Sequence, residues 1–484
     1  MLGRAVLAMS LAAVPAAGQV LSTDSSSRWI DSVFAPYASP QGPGCAVGVS
    51  RDGRLVFAKG YGSADLEHDA PITPSTPFYI ASVAKQFTAM SIVLLAQEGR
   101  LTLDDSVRQW IPEVPSFGWP ITLRQLLYHT SGLRDYFTLL ALSGWPSDGP
   151  LTERQFLDLV SKQRSLNFAP GEEFLYSNTG YALLAIVVQR VSGKSLREYA
   201  AERIFKPLGM THTEFRDDHH QLISKRAVGY QPIDGSFRVS QPEFDVVGDG
   251  GLYSTVEDLA KWDENFRTGR VGGKSGVALL QEQGRLNNGQ TIPYALGLTV
   301  GQTRGLKTYA HRGAYGGYRS AIVRYPDKGL SVITLCNTAA ASVSLADEVS
   351  VLLLGILPQK TTAATSLDLS LNQWSAGAAQ APADSTGARR RTDLLAQAAG
   401  SYRSDELDLA VTLVARDGVL VLQRGTSPEI RFVALSDDWF TSADQMLLRV
   451  IRDDRGAVRG FTLSIGRVRD LLFDRATDSY KAGR

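Results

Sequence analysis

Cysteine is scarce. Cys45 and Cys336 are the two in a chain of 484 residues, which excludes a scaffold built on disulfides. Both lie in strand-like segments and read as buried free thiols, with a single bridge as the alternative in an exported chain. Histidine is rare as well. Six residues, scattered along the chain, are too few to suggest a zinc site. An excess of charge of one sign is also missing. Fifty Lys and Arg against 49 Asp and Glu leave a formal net charge of +1. The basic run Arg389-Arg390-Arg391 is short and sits in a polar stretch, where it reads as a solvated linker. Nucleic-acid binding needs a concentrated basic face, so that class of partner is excluded.

Long apolar runs are lacking too. The run at residues 5–14 is too short to span a bilayer as a stable helix. It follows Arg4 and precedes Pro15-Ala16-Ala17-Gly18. A positive start, a short apolar core and small residues form the layout of a secretory signal. Residues 1–18 are therefore expected to direct export to the periplasm or medium, with cleavage near Ala17 or Gly18. No cysteine follows the small residues, so a lipoprotein anchor is not indicated. No transmembrane anchor is expected after cleavage.

What is present is the composition of a globular protein, 44% hydrophobic and 20% charged. The length fits two or three domains. Helical spacing marks residues 25–37. Asp52-Gly53 between two apolar runs marks a hairpin. A long apolar helix over 83–96 ends at Gly99, and further helices follow at 152–162, 181–191 and 255–266, the last with Thr255 as N-cap. Strands return at 308–311, 318–325 and 330–336, and a hydrophobic helix covers 345–357. Strands at both ends with helices between them imply a mixed α/β domain over 19–358, whose sheet recruits both ends. Residues 359–392 turn to Ala, Ser, Thr, Gln and Pro and read as a linker. Beyond it, over 393–484, the pattern is short strands only: a small all-β domain, a barrel or half-barrel.

Three constellations carry candidate chemistry. In Ser82-Val-Ala-Lys85, positions i and i+3 of a helix bring a hydroxyl and an ammonium to one face. A serine hydroxyl needs a neighbouring base, and a lysine serves once burial or nearby positive charge lowers its pKa. The spacing alone is weak, since about one or two such matches arise by chance in a chain of this length. Tyr176-Ser-Asn178 precedes an apolar helix. A tyrosine can shuttle a proton, and an asparagine can pair with a substrate amide; the plain alternative for Asn178 is a helix N-cap. His311-Arg-Gly313 is expected at a strand end. There Gly313 permits close backbone approach, and the N–H of Ala314 can face an oxyanion.

In this order, Ser-x-x-Lys, Tyr-x-Asn and His-x-Gly resemble the penicillin-recognising serine hydrolases: class C β-lactamases, DD-carboxypeptidases, and D-aminopeptidase and esterase relatives. A neighbouring branch carries Ser-x-x-Lys, Ser-Asp-Asn and Lys-Thr-Gly. Here tyrosine leads the second motif, as in class C, and histidine replaces lysine in the third. The flanks Phe78-Tyr-Ile-Ala, Leu126-Leu-Tyr-His129-Thr-Ser-Gly132, Phe168-Ala-Pro-Gly171 and Gly250-Gly-Leu-Tyr-Ser-Thr255 are similar to the family's recurring segments. The resemblance covers roughly residues 30–357.

The resemblance implies a β-lactamase-like antiparallel sheet flanked by helices, and a lipocalin-like C-terminal barrel. It implies Ser82 as nucleophile, Lys85 and Tyr176 as its proton partners, and the N–H groups of Ser82 and Ala314 as the oxyanion hole. Asn178, His311 and Gly313 would contact substrate. No metal or cofactor is needed. His129 is given a packing role, and His219-His220 is expected in a solvated loop. The expected substrate is a small peptide-like amide, an ester or a β-lactam. In other members a lysine at position 311 helps to hold a substrate carboxylate, which a histidine does less well; Arg312 and Arg319 are the candidates to compensate. The expected activity is therefore peptidase- or esterase-like, with a dedicated class C-like β-lactamase as the alternative. A non-catalytic sensor would be expected to break the motifs, and Ser82, Lys85, Tyr176 and Asn178 are all present.

Overall fold

The computed structural model describes residues 23–146, 149–355, 387–425 and 427–476. The expected signal at 1–18 and the linker over 359–386 lie outside the described residues. Among the described residues, no helix is long and apolar enough to cross a membrane.

The first domain is built on one six-stranded antiparallel sheet. Its strands are β1 (Cys45–Arg51), β2 (Arg54–Tyr61), β3 (Thr299–Thr303), β4 (Leu306–Tyr315), β5 (Tyr318–Tyr325) and β6 (Leu330–Cys336). They pair in the order β3-β4-β5-β6-β1-β2, so the two ends of the domain do meet in one sheet. Side chains alternate between faces along a strand, and here both faces are covered. Ala46, Ile322 and Ile333 join the large core on one side. Their neighbours Val47, Val323 and Val332 join a second core, closed by α1 (Thr23–Phe34) and by a late helix at Leu345–Leu353. The central helix of the large core, α2 (Lys85–Gln97), is buried around most of its circumference, as expected of a helix apolar on every side.

The cysteines correct the sequence reading. Cys45 and Cys336 are directly opposed on β1 and β6 and form a disulfide. Composition could not reveal that two distant strands are sheet neighbours in register.

The C-terminal domain is a closed eight-stranded barrel. Its strands are β7 (Gly400–Ser404), β8 (Leu409–Arg416), β9 (Val419–Gln423), β10 (Ile430–Ala434), β11 (Trp439–Ser442), β12 (Leu447–Arg452), β13 (Val458–Ile465) and β14 (Val468–Arg475). Three of them, β7, β10 and β11, escaped the sequence reading: each is four or five residues long, and none adjoins an Asp-Gly pair such as Asp417-Gly418, which marked the equally short β9. A helix over Gly387–Ala398 precedes the barrel. It replaces the last part of the expected linker and includes the Arg389-Arg390-Arg391 run.

The barrel is not a loose appendage. Leu139 and Leu142, from the hydrolase-domain helix α3 (Tyr136–Ser143), belong to the barrel's own core. Arg134 is fully buried and bonds Glu406 Oε2 (2.6 Å) and the carbonyls of Arg469 (2.9 Å) and Asp470 (3.0 Å). A buried guanidinium is tolerated only when its donors are satisfied, and the barrel supplies most of these acceptors.

Candidate active site

Ser82 sits where the chain enters α2. Residues Ala81–Ala84 form a 3₁₀ turn, and α-helical geometry begins at Lys85. The expected helix face is thus a 3₁₀ turn, in which residues three apart eclipse one another. That places the Lys85 ammonium against the Ser82 hydroxyl, with Nζ to Oγ at 3.2 Å. Ala81, just before the serine, has φ +46°, a left-handed conformation that costs energy for a residue with a Cβ. It bends the chain sharply and leaves Ser82 partly exposed, while Val83, Ala84 and Lys85 are buried.

The turn is braced from behind. Ser320 Oγ donates to the Ile80 carbonyl at 2.7 Å. Gly313 on β4 lies against the same carbonyl, and a Cβ there would fall 2.4 Å from Ile80 O. Glycine is required for the strand to approach Ser82 this closely. His311-Arg-Gly313 is therefore mid-strand and not at a strand end: β4 continues to Tyr315. Ala314 follows on the exposed side.

Lys85 is completely buried, and its three bonds define its chemistry. Nζ reaches Ser82 Oγ, Asn178 Oδ1 (2.8 Å) and the Asp249 carbonyl (2.7 Å). The last two oxygens can only accept. In the neutral amine both N–H bonds are committed to them, and the lone pair faces Ser82. Burial pushes the Lys85 pKa down to about 7; the Asp249 carboxylate opposes this, and the Arg467 guanidinium reinforces it. Asp249 is itself buried, and burial raises its carboxyl to about 6 against the pull of Lys85. Tyr136 Oη donates to Asp249 Oδ2 at 3.1 Å.

Asn178 is the first residue of its helix (Asn178–Ser192), and Ser177 takes the N-cap position. Its side chain is oriented from both ends. Oδ1 accepts from Lys85, while Nδ2 and the backbone N–H donate to Asp135 Oδ2 at 2.9 and 2.7 Å. Asp135 in turn caps α3 by accepting from the Thr138 N–H. Asn178 thus positions Lys85, beyond any contact it makes with a ligand.

The Tyr176 hydroxyl is buried without a well-aligned hydrogen-bond partner. Burial drives its pKa far above the ordinary phenol value, only partly offset by the adjacent Ser82 hydroxyl and Arg467. It remains a phenol at neutral pH. The Lys85 ammonium lies 4.9 Å from the centre of its ring, and the Arg467 guanidinium 4.6 Å, both within cation–π range. His129 packs on the same ring at 4.2 Å and accepts from the Ser177 N–H at 3.2 Å. Burial holds it neutral, in keeping with a packing role.

His311 is buried behind this ring. Its Nδ1 donates to the Arg312 carbonyl (2.8 Å), which leaves Nε2 to accept from Tyr294 Oη (2.9 Å). Burial lowers its pKa to about 3. It is neutral, both nitrogens are occupied, and it offers no cation to a substrate carboxylate. Arg312 and Arg319 do not compensate. Arg312 pairs with Asp347 at 2.5 Å, and Arg319 bonds the carbonyls of Gly316 and Tyr318. A guanidinium at the site comes from the barrel. Arg467, in the tight turn between β13 and β14, lies over Tyr176 and 3.7 Å from Asp135 Oδ2.

The structure therefore brings Ser82, Lys85, Tyr176 and Asn178 together, with Gly313 behind the serine and His311 behind the tyrosine. It adds Asp135, Tyr136, Asp249 and Arg467. Asp249 precedes the Gly250-Gly251 pair already singled out, and that proximity was its available signal. Arg467 had none, because a turn in a separate domain carries no mark of the surface it faces. His219 differs from expectation as well: it is half-buried against Asp245 at 2.9 Å, while His220 is exposed.

A mixed α/β domain with a serine at the head of its central helix and a buried lysine three residues on is the architecture of the β-lactamase-like serine hydrolases. The chain belongs to the Beta-lactamase family, whose model matches residues 30–354. It is 31% identical over 301 residues to penicillin-binding protein 4* of Bacillus subtilis, covering 59% of this chain and 66% of that protein. It is 32% identical over 324 residues to the D-aminopeptidase of Brucella anthropi, covering 65% and 60%. The chain thus spans less than two thirds of the length of these curated relatives. Among solved structures, it resembles the octameric penicillin-binding protein homologue of Pyrococcus abyssi, with TM-score 0.60, 25% identity, and 94% of this chain and 100% of that one covered. The penicillin-binding protein of Bacillus halodurans matches 67% of this chain and 98% of its own at TM-score 0.58 and 26% identity.

Proposed function

We propose that the protein is an exported serine hydrolase that cleaves amide or ester bonds of peptide-like substrates through an acyl-enzyme on Ser82. The observation that carries this is the bonding of Lys85. Two carbonyl oxygens take its N–H bonds and leave its lone pair for the Ser82 proton. Burial keeps that lone pair available near neutral pH.

In the proposed reaction Ser82 Oγ attacks the substrate carbonyl carbon while its proton passes to Lys85 Nζ. The oxyanion is held by the N–H groups of Ser82 and Ala314. The Ser82 amide is among the donors that a helix start leaves without an intrahelical partner, and loss of one such donor typically costs about 100–1000-fold in rate. Tyr176, a phenol at this pH, gives a proton to the leaving amine or alkoxide and is reprotonated from Lys85. Water then attacks the Ser82 ester by the same path in reverse. The D-aminopeptidase and penicillin-binding-protein relatives support peptide-like amides as the substrate class.

A dedicated β-lactamase is the less favoured reading. The neutral His311 supplies no cation for the carboxylate that β-lactams carry, and Arg467 is engaged with Asp135 and Tyr176. Export is part of the proposal. The N-terminal signal pattern supports it, and so does the Cys45–Cys336 disulfide, since such bonds persist in oxidising compartments.

The test is active-site labelling with a fluorescent penicillin and a fluorophosphonate, using Ser82→Ala as control, followed by mass mapping of the adduct. Labelling that survives in Ser82→Ala removes the nucleophile assignment. Turnover of D-amino-acid amides, D-Ala-D-Ala peptides and aryl esters is then compared with that of a cephalosporin. Rapid turnover of the cephalosporin alone would establish the β-lactamase reading instead.

A further inference from the structure

A cavity of about 660 Å³ lies between the hydrolase domain and the barrel. That is the size of a site for a small-molecule substrate group. Phe137, Phe244 and Tyr315 form its wall on the hydrolase side, and Trp439, Leu447 and Ile465 face them from the barrel. The three hydrolase-side rings pack on one another, with centroids 5.3–5.5 Å apart. Trp439 is left 40% exposed at the rim. The Arg449 guanidinium lies over its ring, 5.4 Å from the centre, and a concave apolar wall with a part-exposed indole at its rim is the kind of surface that a ligand covers.

Three lining residues are chain neighbours of the active-site cluster, each on a different element. Tyr315 follows Ala314 on β4, and alternation places it on the face of Gly313, which backs onto Ala81 and the serine turn. Phe137 follows and stacks on Tyr136, which bonds Asp249. Gly466 precedes Arg467, which covers Tyr176. The cavity therefore adjoins the site along its β4 side.

We propose that this cavity is an acyl subsite that takes an aromatic or long aliphatic group attached to the substrate's carbonyl carbon. The inference rests on the Ser82 acyl-enzyme reading. In that reading Tyr176 protonates the leaving group, so the leaving group lies on the tyrosine side. The acyl moiety lies along Gly313–Ala314, and the next residue on that strand is Tyr315. The barrel supplies half of the wall, so it selects substrate as well as packing against the domain. An aromatic D-amino-acid amide and a medium-chain ester share the required chemistry, an apolar group on the carbonyl.

Chain length tests this on the full protein. For p-nitrophenyl esters from acetate to octanoate, kcat/KM is expected to rise by up to about fourfold per buried methylene. D-phenylalanine amide should be preferred to D-alanine amide in the same way. Ala141 lines the cavity from an exposed position on α3. Ala141→Trp should abolish the rise and leave acetate turnover unchanged. Trp439→Ser, which removes one wall at an exposed position, should flatten the rise in an intact cavity. A flat profile in the native protein, with normal acetate turnover and Ser82 labelling, overturns the subsite alone. A preference that follows the size of the alcohol overturns its acyl assignment. Absence of both acetate turnover and Ser82 labelling removes the hydrolase reading, and the subsite with it.

Discussion

The Arg467 guanidinium lies 4.6 Å from the centre of the Tyr176 ring, so a residue of the C-terminal barrel covers a residue of the hydrolase site. The contact is held by backbone. The Arg467 carbonyl accepts from the Asp135 N–H at 3.3 Å and from Asn167 Nδ2 at 2.9 Å. The side chain can therefore be exchanged while the turn stays docked, which makes its electrostatic role measurable.

Arg467→Gln is expected to raise the acid limb of the kcat/KM profile. The guanidinium lowers the Lys85 pKa. Its removal, together with the unmasking of the nearby Asp135 carboxylate, favours the ammonium form and moves the limb to higher pH by up to about one unit. That profile reports the free enzyme's essential base. A lower rate with an unmoved limb would mean that Arg467 acts only as packing.

Asp249→Asn should move the same limb the other way. The Asp249 carboxylate raises the Lys85 pKa more than Asp135 does, so neutralising it removes the larger of the two carboxylate effects that oppose burial and shifts the limb to lower pH. The backbone carbonyl that accepts from Lys85 is kept, and the amide oxygen can still accept from Tyr136. A shift to higher pH would contradict the assignment of Lys85 as the base. The two variants have opposite signs, which separates electrostatics from general damage.

The double variant Cys45→Ala/Cys336→Ala is expected to lose stability and keep activity. The bridge closes a separation of 291 residues, and removing a native disulfide typically costs about 2–5 kcal/mol. Both cysteines pack in the core on the sheet face away from the large core that contains Tyr176, so the site should be unaffected. Denaturant midpoints and ester turnover on the same samples check both halves. An unchanged midpoint would show that β1 and β6 are fully secured by their ladder alone.

The motifs and several of the longer helices and strands were legible in the sequence for local reasons. Ser82 and Lys85 are three residues apart, and Thr255 and Asp258 form a cap whose partners are close in the chain, with the Asp258 N–H donating to Thr255 Oγ1. Asp52-Gly53 encodes a hairpin in two residues, and Asp52 adopts φ +49° there. Helix and strand periods extend over enough residues for the apolar pattern to be read. These features depend on what adjoins what along the chain, and a sequence states that directly.

The rest was decided by long-range packing. Cys45 meets Cys336 because the first and last strands of the sheet's core pair in register. Asp249 becomes an active-site group because its carbonyl reaches Lys85 across the domain. Arg467 does so because Arg134, Asn167 and Asp135 dock the barrel. Even Lys85, identified from its motif, acquires its chemistry from complete burial, and burial is a property of the folded whole. The order of residues determined which groups were available; the tertiary structure determined their protonation, their partners and the surface each one faces.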